Sequence, residues 1–429
     1  MQINNIIFNK MKLLASIERE INIYYNNIKS FKNQISLQEY SGSFGDLDVL
    51  LPFLLDLSKR KLIYLPGAFF WGGFFNIVTA IQWNIPMPVQ PMKAISSVAL
   101  TDGLTYNEVI TSGLITSAVV TMLGLTRTIY IVNKYIPRDI VSGMQLGLGL
   151  NMIKKGINTI KDTNEWMALD SYFSASIIGI GTLFLFKMNR CPVALILFLV
   201  GFILALIDVT TNPNISLETG FNISNLDFNP INPIINNAYN LTTSDFYNGF
   251  IKGALPQIPL TILNSVISVG DLAMELFPNT NPPISKASIA TSIGIMNTIG
   301  CLLGGMPMCH GAGGLAGQYK FGARGGFSML IIGCEKIVIA IFLGRSLEQL
   351  LAIYPDVILG ILLFFSGLQL AVVGIDKSST KITVATAGII LSSNTWIGSL
   401  CGLLIYYIEK MSVNNCIQKF SLLPMTLIR

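Results

Sequence analysis

Two segments, Pro86-Met87-Pro88-Val89-Gln90-Pro91-Met92-Lys93 and Pro307-Met308-Cys309-His310-Gly311-Ala312-Gly313-Gly314, set helix-breaking residues beside groups suited to holding an anion. Each follows an apolar run, where a continuous membrane helix would carry neither paired prolines nor a glycine cluster. Each therefore reads as a helix broken inside the membrane. A helix that begins there leaves up to about four backbone N–H groups without intrahelical partners and presents the positive end of its dipole. Two such starts facing one another make a site for a negative ion. The first helix is expected to start near Val89-Gln90-Pro91, with Pro91 in the first turn, where its missing N–H has no partner to lose. The second is expected to start near His310 to Gly313, where glycines let a ligand approach the backbone.

The side chains nearby define the chemistry. Lys93 falls about one turn into the first broken helix, and a membrane-embedded lysine must face the bundle interior or a watery cavity. It adds positive charge to the anion site, or it pairs with Asp46 and only ties two helices together. His310, the single histidine, is read either as a donor to an oxyanion with a protonation-linked role or as an ordinary satisfied polar residue. Gln257, Thr261, Asn264 and Ser265 fall roughly on one helical face. They are polar and neutral, so they suit an oxyanion as well as they suit bonds between helices. The expected anion contacts are Val89, Gln90, Lys93, Gln257, His310, Gly311 and Gly313. Asp46, Asn264 and Glu335 are the expected coupling or structural polar groups.

The elements that must position these residues are membrane spans. Hydrophobic residues make up 52% of the 429, charged residues only 12%, and mean hydropathy is +0.60. Soluble domains carry roughly 25% charged residues. Apolar stretches of span length recur from about 62–81 to 395–408. The 38 glycines allow close helix packing. Six cysteines, Cys191, Cys301, Cys309, Cys334, Cys401 and Cys416, show no metal-ligand spacing and read as small packing residues. No metal or other cofactor is expected, and no nucleic-acid partner. A single histidine without a Ser/His/Asp set argues against an enzyme.

The chain reads as built twice. At an offset of 221, Gly73 falls on Gly294, Asn76 on Asn297, Pro86 on Pro307 and Met87 on Met308. Pro137 to Gly143 matches Pro355 to Gly360 with one gap, and Gly42 to Asp46 lines up with Gly253 to Gln257. Between the copies lies a polar connector without Lys or Arg, carrying Glu218, Asp227, Asp245 and sequons at Asn214, Asn222 and Asn240. Both features fit a non-cytoplasmic face. The expected organisation is a cytosolic arm at 1–39, a first inverted repeat at 40–208, the connector at 209–246, a second repeat at 247–410 and a short tail at 411–429. An odd number of crossings per copy inverts the second copy. Lys134, Arg138, Lys187, Arg190, Lys320 and Arg324 agree with that orientation, whereas Lys59-Arg60-Lys61 and Lys154-Lys155 do not. The arm carries Lys10, Lys12, Arg19, Lys29 and Lys32. It reads as a surface-lying amphipathic helix rather than a cleaved signal peptide.

Met87 to Ile95, Leu255 to Thr261 with Asn264-Ser265, and His310 to Ala316 with Phe321-Gly322-Ala323-Arg324 together resemble the plant and algal molybdate transporter family, a branch of the sulfate-permease superfamily. The resemblance runs from about residue 40 to 410 and extends to Gly45-Asp46, Gln145-Leu146-Gly147 and Gly367-Leu368-Gln369-Leu370. It implies an all-α polytopic fold, a seven-plus-seven transmembrane inverted repeat with core and gate domains and two broken half-helices. It also implies uptake of a tetrahedral oxyanion, molybdate first and sulfate as the alternative, held between Val89–Lys93 and His310–Gly313. The lipid bilayer is the expected surrounding, and homodimers are common in the superfamily that the chain resembles, although the sequence itself does not give the oligomeric state. Residues 409–429 leave no room for the STAS domain that sulfate permeases carry after the last span. Asp48 departs from the family's Gly-Asp-Leu-Gly pattern. Accumulating an anion in a negative compartment costs about 2.3 kcal/mol per charge per 100 mV, so a coupled proton or other ion is expected. A nucleobase permease of the same fold is the rival, but its carboxylates have no counterpart at Gln257 or in Cys309 to Gly314.

Overall fold

The computed structural model describes residues 2–132, 137–163, 166, 170–186, 193–211, 241–280, 283–352, 354–377 and 381–421. Most of the connector, with the three sequon asparagines, Glu218 and Asp227, lies outside the described residues, as do Lys134, Lys187, Arg190 and Cys191. The same is true of the side chains of Lys10, Lys12, Asp48 and Cys416.

A long helix, α1 (Gln2–Gln34), forms the arm. The first span bends from α2 (Leu37–Ser43) through a 3-10 turn at Phe44–Asp46 into α3 (Leu47–Lys59). Then follow α4 (Leu65–Trp83), strand β1 (Val89–Pro91), the half-helix α5 (Lys93–Thr101) and α6 (Tyr106–Leu125). After a short turn, α7 (Ile129–Val132), come α8 (Arg138–Asp162), α9 (Tyr172–Phe186) and α10 (Val193–Thr211).

The second half repeats this order. It opens with α11 (Thr243–Leu276), which widens into π turns at Gly249–Ala254 and Thr261–Ser268. Pro256 and Pro259 lie between those turns, and a proline inside a helix removes a donor and displaces a carbonyl, which the wider turns absorb. Next are α12 (Lys286–Leu302), strand β2 (Met308–His310), the half-helix α13 (Ala312–Phe321) and α14 (Phe327–Ala352). The last three spans are α15 (Asp356–Lys377), α16 (Lys381–Ser392) and α17 (Thr395–Ser421).

The halves interleave. Helix α4 packs on α14 and α6 on α12, so each half supplies one helix of each pair, while α8 lies along α15. The α8–α15 contact needs glycine: a Cβ at Gly149 or Gly156 would run into the carbonyl oxygens of Gly367 and Gly360. The first four spans of each half form one body and the last three the other. Large apolar side chains stand exposed in stripes, such as Phe173, Ile177, Ile180 and Phe184 on α9. Such a belt belongs in lipid. Among the described residues Tyr106–Leu125, Thr243–Leu276 and Asp356–Ile375 are the helices both long and apolar enough to cross a bilayer by themselves. The chain is an integral multi-pass membrane protein with the seven-plus-seven inverted repeat.

Two details correct the sequence reading. Val89-Gln90-Pro91 forms a strand, not a first helical turn, and β1 pairs antiparallel with β2 (Val89 opposite His310, Gln90 opposite Cys309, Pro91 opposite Met308). The half-helices begin later, at Lys93 and Ala312. The repeat also slips by two residues before the strands. Asn76 Oδ1 accepts from Val89 N (2.8 Å) and Asn297 Oδ1 from Met308 N (2.6 Å), so Pro88, not Pro86, is the counterpart of Pro307. The other repeat matches coincide with equivalent elements: α8 and α15 each start directly after a proline, Pro137 and Pro355.

Candidate anion-binding site

The two strands cross where the half-helices begin, and a cavity of about 350 Å³ opens beside them. One wall carries Gln90, Lys93, Gln257, Asn264, Ser265, Cys309 and Gly311 to Gly314; the opposite wall carries Gln145, Leu148, Met152, Ser366 and Gln369 from α8 and α15. The cavity thus lies between the two bodies. It follows α13 to Lys320 and Phe321, the end of the bundle where Glu39 of α2 accepts from Arg324 N (2.6 Å), Gly325 N (2.8 Å) and Ser328 N (3.2 Å). The arm reaches the same end: Gln34 Oε1 accepts from Phe327 N (3.0 Å) and Asn27 Nδ2 donates to Ile81 O (2.8 Å).

The half-helix starts are not equally open. Gln257 Oε1 accepts from Ala94 N (2.9 Å) and Ile95 N (3.2 Å), and its Nε2 donates to Thr261 Oγ1 (2.8 Å). That amide caps α5 and takes up the N–H groups an anion would need there. At α13 the first intrahelical bond runs from Leu315 N to Gly311 O (3.0 Å), which leaves the N–H groups of Ala312, Gly313 and Gly314 outside the helical ladder. Gly313 faces open space, with nothing within 4 Å of a Cβ placed on it. Gly311 is different. A Cβ there would overlap the Gln90 amide, whose two ends lie 2.8 Å from Asp46 Oδ1 and 3.1 Å from Gly311 N; with an ionised Asp46 the assignment that satisfies both has Nε2 donating to Asp46 and Oε1 accepting from Gly311 N.

Asp46 and Gln257, aligned by the repeat, therefore do equivalent jobs. Each comes from the opening span of its half and serves the half-helix start of the opposite half, Gln257 directly and Asp46 through Gln90. Lys93 is half-buried at the cavity wall and within electrostatic reach of Asp46. Among the described residues it forms no ion pair. Lys336 of α14, only 4% exposed, sends Nζ toward Val89 O (3.4 Å) and also senses Asp46. One buried carboxylate therefore stands against two lysines before any anion enters.

Several expected residues stand elsewhere. His310 is fully buried behind the strands: Nδ1 lies 3.2 Å from Pro88 O, Nε2 3.2 Å from Ser292 Oγ, and the ring packs edge-on to Trp83. Both nitrogens are engaged and the ring does not line the cavity. Val89 is also out of reach, its N–H on Asn76. Glu335 meets Tyr40 on the far side of α14. Gln90, Lys93, Gln257, Asn264, Gly311 and Gly313 do line the cavity. Sequence reasoning missed Lys336, whose signal was a lysine in a long apolar run. On the opposite wall, Gln145 and Gln369 stand in segments that resemble the family but carry no expected site role, and Ser366 was missed.

Comparison with known proteins agrees with this architecture. The profile of the family described as "Molybdate transporter of MFS superfamily" matches residues 38–152 and 249–370. Molybdate transporter 2 of Arabidopsis thaliana is 32% identical over 432 residues, covering 90% of this chain and 89% of that protein. Molybdate transporter 1 of Chlamydomonas reinhardtii is 29% identical, covering 86% and 91%. Among solved structures, SLC26A9 has a TM-score of 0.60 at 12% identity, covering 93% of this chain and 69% of that one. The transmembrane domain of the cyanobacterial bicarbonate transporter BicA has a TM-score of 0.52 at 14% identity, covering 86% and 98%. That fold differs from the two six-span halves of major facilitator transporters, despite the superfamily word in the family's description. With the profile matching more than half of its length and a relative at 32% identity across 90% of it, the chain belongs to the molybdate transporter family of membrane anion transporters.

Proposed function

We propose that the protein is a secondary active transporter of a tetrahedral oxyanion, molybdate first, working by alternating access. One observation carries the site: the uncapped start of α13, with Ala312, Gly313 and Gly314 N–H groups, beside the Lys93 ammonium on a cavity between two bodies. Backbone donors fixed at a helix start and a lysine at short range favour an anion over a cation. The neutral amides and hydroxyls of Gln145, Gln369, Asn264 and Ser366 complete a polar lining that does not repel it. The relatives named molybdate transporters favour molybdate, and sulfate is the nearest alternative because both are tetrahedral dianions.

The cavity reaches Lys320 and Phe321 at one end of the bundle, and at the other Lys59 Nζ joins α3 to Asp356 Oδ1 (2.6 Å) and Tyr354 O (2.8 Å). Access from one side with closure on the other is what a moving-site mechanism needs in place of an open pore. The test is labelled molybdate uptake into vesicles holding the purified protein, with excess unlabelled sulfate as competitor. Saturable uptake that sulfate displaces only weakly is expected. Nucleobase flux without oxyanion flux would sink the reading, and equal competition by sulfate would transfer it to sulfate.

A further inference from the structure

The Gln90 amide sits between an obligate acceptor and an obligate donor. An ionised Asp46 carboxylate can only accept, so it draws in Nε2 (2.8 Å), and Oε1 is left to accept from Gly311 N (3.1 Å). In this setting Gln90 withdraws the Gly311 N–H from the anion-binding start of α13 and turns its Nε2 toward Asp46. A protonated Asp46 would reverse the demand: its O–H donates to Oε1, the amide turns over, and Nε2 faces the cavity beside a released Gly311 N–H. The same pair of side chains thus has two hydrogen-bonded settings, which differ by one proton and by two donors offered to an anion.

We propose that Asp46 is a positioning residue that couples proton uptake to anion binding through the orientation of the Gln90 amide, an inference that rests on the anion site described above. The balance is simple. A proton from the open side adds to the carboxylate, no covalent bond to carbon changes, and the proton leaves when the anion does. The groups facing Asp46 set the sign. Lys93 of α5 and Lys336 of α14 are the cations in electrostatic reach of it, and Cys309 of β2 lies in reach as well. On the other elements packed against it, Glu39 of α2 is engaged by three backbone N–H groups and Asp56 of α3 by Arg60. Tyr40 of α2, Lys59 of α3, which pairs with Asp356, Tyr319 and Lys320 of α13, and Cys334 and Glu335 of α14 are the other described titratable groups on those elements. A bound dianion offsets the lysines and repels the carboxylate, so anion binding favours the protonated form. By reciprocity, protonation favours the anion.

The measurement is uptake kinetics for labelled molybdate in vesicles over about pH 6 to 8, together with proton uptake on adding molybdate to the protein in weak buffer. Wild type is expected to lower its KM about tenfold toward the acidic end, within the usual range of coupling between two sites, and to take up protons on binding. Asp46→Asn can donate to Gln90 Oε1 at every pH. Its KM should be flat, near the acidic wild-type value, with no proton uptake. Gln90→Met, which has no amide to turn, should likewise lose the pH dependence but at a weakened KM, and it serves if Asp46→Asn fails to reach the membrane. Unchanged pH dependence in either variant overturns the coupling, as does pH-independent saturable uptake in wild type. Absence of molybdate binding and uptake at every pH overturns the anion site itself, so the two failures are distinguishable.

Discussion

Gly311 and Gly313 stand two positions apart at the same helix start, yet their surroundings predict opposite outcomes. A methyl group at Gly311 would occupy the Gln90 amide, whereas one at Gly313 would enter open cavity. Gly311→Ala should displace Gln90 from both its partners and lower thermal stability as well as uptake, by about 1–3 kcal/mol for the buried groups left unmet. Gly313→Ala should leave the melting temperature unchanged and raise KM, because the methyl crowds the anion and nothing else. A melting curve and an uptake curve on each variant check both. Lys93→Met should weaken uptake far more than Cys301→Ser, since Cys301 is a buried packing residue outside the cavity. Equal kinetics in those two variants would contradict the assignment of Lys93.

At the scale of elements, the two half-helices meet unequal fates. Helix α5 is closed by Gln257 and offers the site a side chain, Lys93; α13 offers backbone. Replacing Gln257 by leucine should strand two buried N–H groups and destabilise the protein by about 1–3 kcal/mol. Replacing it by glutamate should retain the cap but add a negative charge near the anion, raising KM with little loss of stability. Thermal unfolding compared with uptake separates the two. The sequence aligned Asp46 with Gln257, and their equivalence is visible in the fold. What the alignment lacked was the partner of each, because capping here runs from one half of the chain to the other. The strand at Val89–Pro91 was equally hidden: three residues with a proline carry no strand pattern, and only their partner β2 makes them one.

For the whole molecule, the Lys59–Asp356 pair ties the two bodies together at the end opposite the cavity mouth. Part of this pair is exposed, so its effect belongs to the balance between conformations rather than to global stability. Lys59→Met is expected to raise the share of protein open at that end. A cysteine introduced at Gln369 in a Cys309→Ser background reports it: in the starting protein an impermeant thiol reagent should label from the arm side of the membrane, and molybdate should protect. With Lys59→Met, labelling from the other side should increase. Labelling that is indifferent to side in both proteins would contradict a cavity with one-sided access.

The amino-acid sequence by itself determined the class, the doubling and the family. Apolar runs fix membrane spans because a bilayer admits little else, paired breaks mark interrupted helices because proline and glycine end them locally, and both signals are written within a few residues. Gln90, Lys93, Gln257, Gly311 and Gly313 were legible for that reason. Only the tertiary structure decided which of them face the cavity, that His310, Val89 and Lys336 lie behind it, and that side chains of α8 and α15 complete it. Those facts depend on contacts between residues more than 160 positions apart, where a hydrogen bond such as Ala94 N–H to Gln257 or Gly311 N–H to Gln90 leaves no trace in local composition.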